Sequence, residues 1–555
     1  MNALPTHDVT NQSSPLRDVN LYAGNRALQD ALRSHLGGFD AAALSALGAR
    51  CGSSEMQDHA RLANVHTPRL LTHDRQGRRI DRVEFHPSYH ALMDAATAAG
   101  LHGTPWARGA GAHFERAAAF MLFTELEPSM LCPISMTYAV TPALRANAAL
   151  QAVWGPLVAA RDYDERFVPY THKRAVTMGM GMTEKQGGSD VRANTTVAEA
   201  DGEDAWGRRF AITGHKWFLS APMCDAFLVL ARSAGGLSCF FVPRLLADGS
   251  VNAIALQRLK DKLGNRANAS SEVEFERAAG WLVGEEGRGV PQILAMGALT
   301  RLDCALGTAG LMRAALSLAL HHTAARHAFG KPLVAQPLMK NVLADLALES
   351  EAATALALRV ALAVDRTEHG GGEHEQVMRR VLTPVAKFWI CKRGSHFAQE
   401  AMECLGGNGY VEEGGAGVMA RIYREMPVNS IWEGSGNIMA LDLPRALRGN
   451  DAAAALEHEL APARGAHPAL DRALARLLHE LDAGVPEAQA RRLVRELALV
   501  MQAALLHRLA PDFVFEAFCN ARLEGTADVF GLLGESAELD RLLERALPLE
   551  HEAHA

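Results

Sequence analysis

Four stretches of this sequence hold residue types that could do chemistry. In the first, Met182-Thr183-Glu184-Lys185-Gln186-Gly187-Gly188-Ser189-Asp190, two adjacent glycines sit between the hydroxyls of Thr183 and Ser189. Such a run lets backbone N–H groups approach an anion and could cradle a diphosphate or the edge of a flat ring; a plain turn between domains reads equally well. The second, Gly214-His215-Lys216-Trp217-Phe218-Leu219-Ser220, is an aromatic strand ending in a hydroxyl. It could pack on a ring and bond its polar edge, or be ordinary core. The third, Arg326-His327-Ala328-Phe329-Gly330-Lys331-Pro332-Leu333, closes a helix. There Arg326 could neutralise a phosphate or simply answer the helix dipole. The fourth couples Gly406-Gly407-Asn408-Gly409-Tyr410 to Ile431-Trp432-Glu433-Gly434-Ser435-Gly436-Asn437. Its glycines permit close approach to a nucleotide, yet no strand precedes them and the spacing is not a dinucleotide fingerprint. Glu433 stands between Trp and Gly just before a helix. Desolvation there raises a carboxylate pKa toward that of a general base; a helix-capping Glu is the alternative.

These residues need a scaffold, and the sequence changes texture in a way that describes one. From about Asn25 to Arg174 apolar residues recur at helical spacing, as in the run 117–122. Between about Val176 and Gly284 short runs bounded by Gly, Asp or Pro predict an antiparallel sheet: 210–212, 216–219, 226–230 and 238–242. The alternating Glu272-Val273-Glu274-Phe275-Glu276 predicts a half-exposed strand. Long helices return at Met296–His322, Pro337–Asp365 and roughly Gln376–Cys404, the second with proline in its first turn. About a hundred helical residues, broken at Pro486 and Pro511, follow Arg448-Gly449-Asn450. The resulting organisation is 1–175 helical, 176–285 β, 286–448 helical and 449–555 an extra helical module.

With 555 residues, 48% of them hydrophobic and 21% charged, the chain is an ordinary globular protein of several domains. A net charge of −7 excludes an all-over basic coat for nucleic acid. The eight cysteines are scattered with no C-x-x-C pair, which predicts reduced core thiols rather than a metal cage or disulfide framework. The N-terminus lacks a secretory pattern, Asp8 and Asp18 weigh against a transit peptide, and no uncharged run spans a bilayer. The expectation is a cytoplasmic protein without metal or membrane.

In order and spacing, the Thr-Glu-x-x-x-Gly-Ser-Asp run, the Gly-x-Lys-x-x-x-Ser strand, the Arg-x-x-Phe-Gly helix end, the Gly-Gly-Asn-Gly turn and the Glu-Gly segment resemble the acyl-CoA dehydrogenase family over roughly Asp81–Leu447. The resemblance implies an α+β architecture: a helical domain, an antiparallel β-domain and a helical bundle, with FAD at their junction, in a homotetramer built as a dimer of dimers. Lys185 in place of the family's Pro, the Trp432-Glu433-Gly434-Ser435-Gly436-Asn437-Ile438-Met439 run and the C-terminal extension resemble its AidB-like branch, tied to the bacterial adaptive response to DNA alkylation. By that resemblance Glu433 is the base that takes an α-proton from an acyl-CoA thioester, while an electron acceptor of unspecified kind reoxidises the flavin. A second family position for this base falls on Thr300, before Arg301, and threonine cannot serve. The resemblance assigns cofactor contact to Met180, Gly181, Met182, Thr183, Gly187, Gly188, Ser189, Phe218, Leu219, Ser220, Gly407, Ile431, Trp432, Gly434, Ser435 and Asn437. It assigns substrate contact to Thr183 and Ser189, and contact with a neighbouring subunit's cofactor to Arg326 and Phe329.

The departures are as informative. Pro337 and Glu403 replace family glutamines, so the adenine end of FAD is expected to be held differently. Trp432 replaces a smaller Tyr and is expected to narrow the acyl pocket. The branch associates its extension with double-stranded DNA, for which the resemblance points to Arg445, with Arg448 one turn on; Arg491, Arg492 and Arg495 form a second stripe. Yet Pro444–Ala555 holds 12 Arg, no Lys and 18 acidic residues, a net −6 and the wrong sign for general DNA binding. Three readings follow: a weak dehydrogenase of short or branched acyl-CoA that also binds DNA, a non-catalytic DNA-protecting flavoprotein, or a plain dehydrogenase with a structural extension.

Overall fold

The computed structural model describes residues 7–448, 452–525 and 528–548. The expected boundary between 448 and 449 lies against residues outside that set.

Helices α1 (Arg26–His35), α2 (Ala41–Gly52), α3 (Ser54–Val65), α4 (Pro87–Ala98), α5 (Ala112–Leu126), α6 (Leu131–Leu144) and α7 (Ala148–Ala159) form the N-terminal part. Local chemistry starts several of them: the side chains of Asn25, Asp40, Ser53 and Asn147 each accept a first-turn N–H of the helix that follows. Between α3 and α4 lies an antiparallel hairpin, β1 (Arg69–His73) and β2 (Arg79–Glu84), that the helical texture of this region did not predict.

The middle part is a seven-stranded sheet of β3 (Met178–Gly181), β4 (Val197–Asp204), β5 (Gly207–Ser220), β6 (Ala226–Ser233), β7 (Gly236–Pro243), β8 (Ile254–Leu259) and β9 (Ser270–Leu282). Its spine is the antiparallel β5–β9 pair. Because β4 pairs both β5 and β6, and β7 pairs both β6 and β9, the sheet closes on itself and hides most of its edges. The sheet is not purely antiparallel: β3 runs parallel to β6. On β9, Glu272 is buried, ion-paired with Arg258 and Lys260, while Glu274 and Glu276 are exposed.

The helical bundle that follows has α8 (Gly289–Ala325) at its centre, with α9 (Pro337–Glu368), α10 (Gly372–Cys404), α11 (Gly407–Tyr410), α12 (Val418–Asn429) and α13 (Gly436–Leu447). By length and hydropathy α8 could cross a membrane, but 89% of its most apolar window is buried inside the protein, so it is a core helix. Polar cross-ties set its register: Arg116 of α5 pairs with Asp303 of α8, both buried.

The extension adds α14 (Ala452–Leu460), α15 (Pro468–Ala483), α16 (Ala490–Leu509), α17 (Asp512–Phe518) and α18 (Leu539–Ala546). It is stitched onto the bundle by two buried ion pairs and one half-buried pair. Arg359 of α9 joins Glu459 of α14 at 2.8 Å, Arg522 reaches Glu349 at 3.0 Å, and Arg545 reaches Glu351 at 2.7 Å. Breaking such a pair by removing one partner leaves an uncompensated buried charge, which costs about 3–5 kcal/mol. All eight cysteines are buried free thiols.

Candidate active site

Two of the motifs meet in a buried ion pair. Lys216 points inward from β5 and its Nζ lies 2.6 Å from Glu184 Oε1, both side chains with no exposed surface. The other carboxylate oxygen of Glu184 accepts from the Thr195 N–H at 2.6 Å and from Gln186 Nε2 at 2.7 Å. Burial works against ionisation of Glu184, but Lys216 and the Thr195 N–H outweigh it and hold the carboxyl down to about 2. Trp217 N–H donates to Thr183 O at 2.8 Å, which clamps the start of the glycine run to the strand. The Glu and Lys of the two motifs are therefore the pin that holds the loop. What the loop presents is Gly188 and Ser189 at the surface and Met182, Thr183 and Gly187 half-buried, while Met180 and Gly181 line the core side. Gly188 has a steric reason: a Cβ there would stand 2.9 Å from Thr183 Oγ1.

Beside this loop β5 changes register between Lys216 and Leu219. The irregularity turns Phe218 outward, 46% exposed, and sends Leu219 into the core. Any cofactor contact by Leu219 is thus limited to its backbone, whose carbonyl already accepts from Ser271 Oγ at 3.0 Å. The Ser220 and Ser270 hydroxyls are 3.1 Å apart.

Glu433 comes from the turn between α12 and α13. Its own φ is +60° and that of Gly434 is +108°, a conformation that costs a non-glycine residue about 1–2 kcal/mol. Three contacts hold the turn: Arg301 Nε donates to Glu433 O at 2.9 Å, Lys387 Nζ donates to Gly434 O, and Arg301 pairs with Asp442 of α13 at 3.2 Å. The strain aims the carboxylate at α8, where Thr300 Oγ1 donates to Glu433 Oε2 at 2.7 Å. Thr300, which stands at the second family position and cannot act as a base, is here a hydrogen-bond donor to Glu433. Burial raises the Glu433 pKa, opposed by the Thr300 hydroxyl and the charges of Arg301 and Lys387. Burial pushes the thiol of Cys132, at the start of α6, up to about 12, with the charge of Glu433 acting the same way and that of Lys262 against it.

The residues offered for a flat, phosphate-bearing cofactor fit one. Trp432 Nε1 is buried without a partner, and Ser435 makes no capping bond. A Cβ built on Gly187 would meet nothing nearer than Asp190 O at 4.0 Å, and Ile431 and Phe218 expose apolar surface.

Other predicted cofactor residues lie elsewhere. Arg326 ends α8 about 26 residues beyond Thr300, roughly 39 Å at 1.5 Å per residue. Phe329 is 97% exposed with φ +52°. Gly407 lies beyond the end of α10, roughly 25 Å or more from Lys387. The N-terminal segment joins this group: Arg326 Nη1 donates to Asn11 O at 2.6 Å and Asn408 Nδ2 to Gln12 Oε1 at 3.0 Å. One chain thus holds the predicted cofactor residues in two separate groups.

On the extension side Arg445 and Arg448 are exposed and carry no ion pair among the described residues. In the second stripe Arg492 is engaged by Glu480 at 2.6 Å and Glu496 at 3.0 Å. Arg491 and Arg495 lie over the rings of Phe388 and Trp389 at 5.5 and 5.9 Å.

Comparison with known proteins agrees along the chain. Residues 11–165 match the Adaptive response protein AidB N-terminal domain, 179–278 the acyl-CoA dehydrogenase middle domain and 287–447 the acyl-CoA dehydrogenase C-terminal domain. The protein AidB of Escherichia coli (strain K12) is 48% identical over 545 residues, 97% of this chain and 98% of that one. Acyl-CoA dehydrogenase family member 11 of Caenorhabditis elegans is 30% identical over 74% of this chain and 67% of its own length. A solved structure of Caenorhabditis elegans ACDH-11 in complex with C11-CoA superposes with a TM-score of 0.83 at 25% identity, covering 99% of this chain and 95% of that one. An acyl-CoA dehydrogenase from Bacillus anthracis complexed with FAD has the same fold, with a TM-score of 0.61 at 17% identity over 83% of this chain and 79% of that one.

Proposed function

The chain belongs to the acyl-CoA dehydrogenase family, in its AidB-like part, and on that premise we propose that it oxidises an acyl-CoA thioester with Glu433 as the base. FAD is the cofactor. When bound it supplies the acceptor for the hydride that leaves the substrate β-carbon. The observation that carries the reading is the environment of Glu433: a strained turn aims its carboxylate into the site, Thr300 orients it, and burial raises its pKa toward the working range of a general base. Thr183 and Ser189 stand at the rim where the thioester enters, and Trp432 narrows the acyl end, favouring short or branched chains. Arg326, Phe329 and Gly407, too far from Glu433 to serve the same cofactor, serve that of a second copy in a homotetramer.

Anaerobic addition of a panel of acyl-CoAs, followed by oxidised-flavin absorbance, tests this. Wild type is bleached rapidly by one of them, and Glu433→Gln keeps its flavin but loses at least about 10³-fold in bleaching rate. Equal bleaching in the variant refutes the assignment.

A second reading is favoured by the free charges of Arg445 and Arg448 at the end of α13: weak duplex DNA binding in the response to DNA alkylation. Removing one arginine–phosphate interaction reduces the slope of log affinity against log salt by about 1, so Arg445→Ala should flatten that slope. A wild-type protein that fails to retain duplex at low salt removes the reading.

A further inference from the structure

The N-terminal helices enclose a cleft of about 520 Å³ between α2, α4, the 100–108 segment and α5, and none of its lining residues belongs to the proposed active site. Alanine makes the space. Six alanines line it, among them Ala46 on α2, Ala98 on α4 and Ala119 on α5, and Leu44, Leu47 and Pro105 complete an apolar wall. Protein interiors ordinarily pack without voids much larger than a water molecule, so an opening of this size needs support. Arg116 supplies it: its guanidinium pairs with buried Asp303 of α8, and its Nε donates to Leu101 O at 2.8 Å. At the edge Arg108 is matched by Glu115 at 2.8 Å. Two further arginines at the cleft, Arg50 in the last turn of α2 and Arg161 just beyond α7, are exposed and pair with no carboxylate among the described residues. Arg161 is held in place. The carbonyls of Ala159 and Ala160 before it accept from Thr104 Oγ1 at 3.0 Å and His102 Nε2 at 2.6 Å, and its Nε lies 3.1 Å from where a Cβ on Gly100 would stand. The remaining lining carboxylate, Asp40, is spent on the α2 cap, accepting the Ala43 N–H at 2.9 Å.

We propose that this cleft binds a small amphipathic anion, a single aliphatic chain ending in a carboxylate or a phosphate, with its head on Arg50 and Arg161 and its chain along the alanine-lined wall. Charge selects the head. With Arg108 and Arg116 already neutralised, two guanidinium groups face the single carboxylate of Asp40, and the opening is left net positive. A guanidinium fork matches the oxygens of a carboxylate or phosphate and can hold two of them at once. Shape selects the body. Methyl groups and leucines offer an aliphatic chain contact without asking for hydrogen bonds, and clefts of roughly 300–1,000 Å³ are the usual size for small-ligand sites. The walls are also fixed in advance, by the Arg116–Asp303 pair below and by the Thr104 and His102 bonds beside Arg161, so binding spends little on ordering them.

The site is independent of turnover, so its test measures binding to the full-length flavin-loaded protein. Decanoate, decyl phosphate and uncharged decan-1-ol are titrated calorimetrically while the flavin absorbance is followed. At least one of the two anions should bind saturably, one per chain, without moving the flavin spectrum, and decan-1-ol at least about tenfold more weakly. Arg161→Gln should weaken the anion roughly tenfold, and Arg161→Lys should recover part of the loss. Ala98→Phe, which fills the cleft from an exposed position of α4, should abolish binding with the flavin content unchanged; if that variant loses flavin, the exposed Arg161→Gln decides alone. Preference for decanoate identifies a free fatty acid as the ligand class, and preference for decyl phosphate a phosphate-headed lipid. No saturable binding of either anion up to about 1 mM overturns the proposal, as does equal binding of decan-1-ol or an affinity in Arg161→Gln within about twofold of wild type. Binding that shifts the flavin spectrum overturns it in favour of the acyl pocket beside Glu433.

Discussion

Two glutamates from the chemistry-bearing motifs, Glu184 of the β-part and Glu433 of the bundle, have opposite surroundings. Glu184, in the β-part, is completely enclosed and accepts from an ammonium, a backbone N–H and side-chain donors, so its carboxyl is held down to about 2. Glu433, on the bundle side, is half-buried, accepts one side-chain hydrogen bond and has its pKa raised by burial. The same side chain is therefore held as an anion in one place and, in the other, has the raised pKa that the proposed role of proton acceptor requires. The number of donors decides which, more than burial does, since burial acts upward on both. A satisfied carboxylate holds a loop; an under-satisfied one on a strained turn takes a proton.

The largest break in this contrast is Lys216→Met, which leaves Glu184 enclosed without its cation. The expected loss is about 3–5 kcal/mol of stability by chemical denaturation, with earlier flavin release on heating, because the glycine run loses its pin. The acid dependence has a definite sign. A depressed carboxyl contributes stability above its unfolded value of 4.5 and loses it as the pH falls toward about 2. The difference between wild type and the double variant Lys216→Met, Glu184→Gln should narrow over that interval, and a difference independent of pH there would deny Glu184 its ionic role.

Thr300→Val should have a smaller effect, confined to the reaction. Removing the one hydrogen-bond donor that lowers the Glu433 pKa raises it further, so the acid limb of the flavin-bleaching rate moves to higher pH. About tenfold is lost at pH 6 and most of it returns at pH 9. A loss equal at both pH values would make Thr300 a geometric support alone.

Much of this contrast was legible in the residues. Glu433 between Trp432 and Gly434 could be read as a desolvated carboxylate or as a helix cap, and the glycine run with its aromatic strand as a cofactor edge or as a plain turn beside core; the buried turn and the Glu184–Lys216 pin are what the structure adds. The β-texture of 176–285 and the three long helices stand where the spacing put them, α8 and α10 each starting several residues earlier than expected. What the sequence hid were relations across long separations. Glu184 and Lys216 had no assigned role until the fold put one against the other, and Thr300 could be rejected as a base without any sign that it donates to a carboxylate 133 positions away. The β1–β2 hairpin escaped because two short, Arg- and Asp-containing strands carry no alternation strong enough to stand out within a helical stretch. The extension's negative charge misled in another way: two of its arginines, Arg522 and Arg545, are matched by acids of the bundle, which a net charge does not reveal.

The smallest effect sharpens the comparison most. If Glu433 is kept under-satisfied for function, the protein carries a cost there that Glu433→Gln removes, because an amide needs no compensating cation and its NH2 can donate where a carboxylate cannot. That variant, inactive in bleaching, should be slightly more stable than wild type, by about 0.5–1 kcal/mol at neutral pH. The gain has its own pH signature. A raised carboxyl contributes stability below its unfolded value of 4.5 and loses it as the pH rises through the folded one. The variant's advantage should therefore shrink in acid, the reverse of the Glu184 pattern, and denaturation curves at pH 4 and pH 7.5 measure it. Glu433→Gln less stable than wild type at both would mean that the carboxylate is as structural as Glu184, and the contrast in roles would collapse.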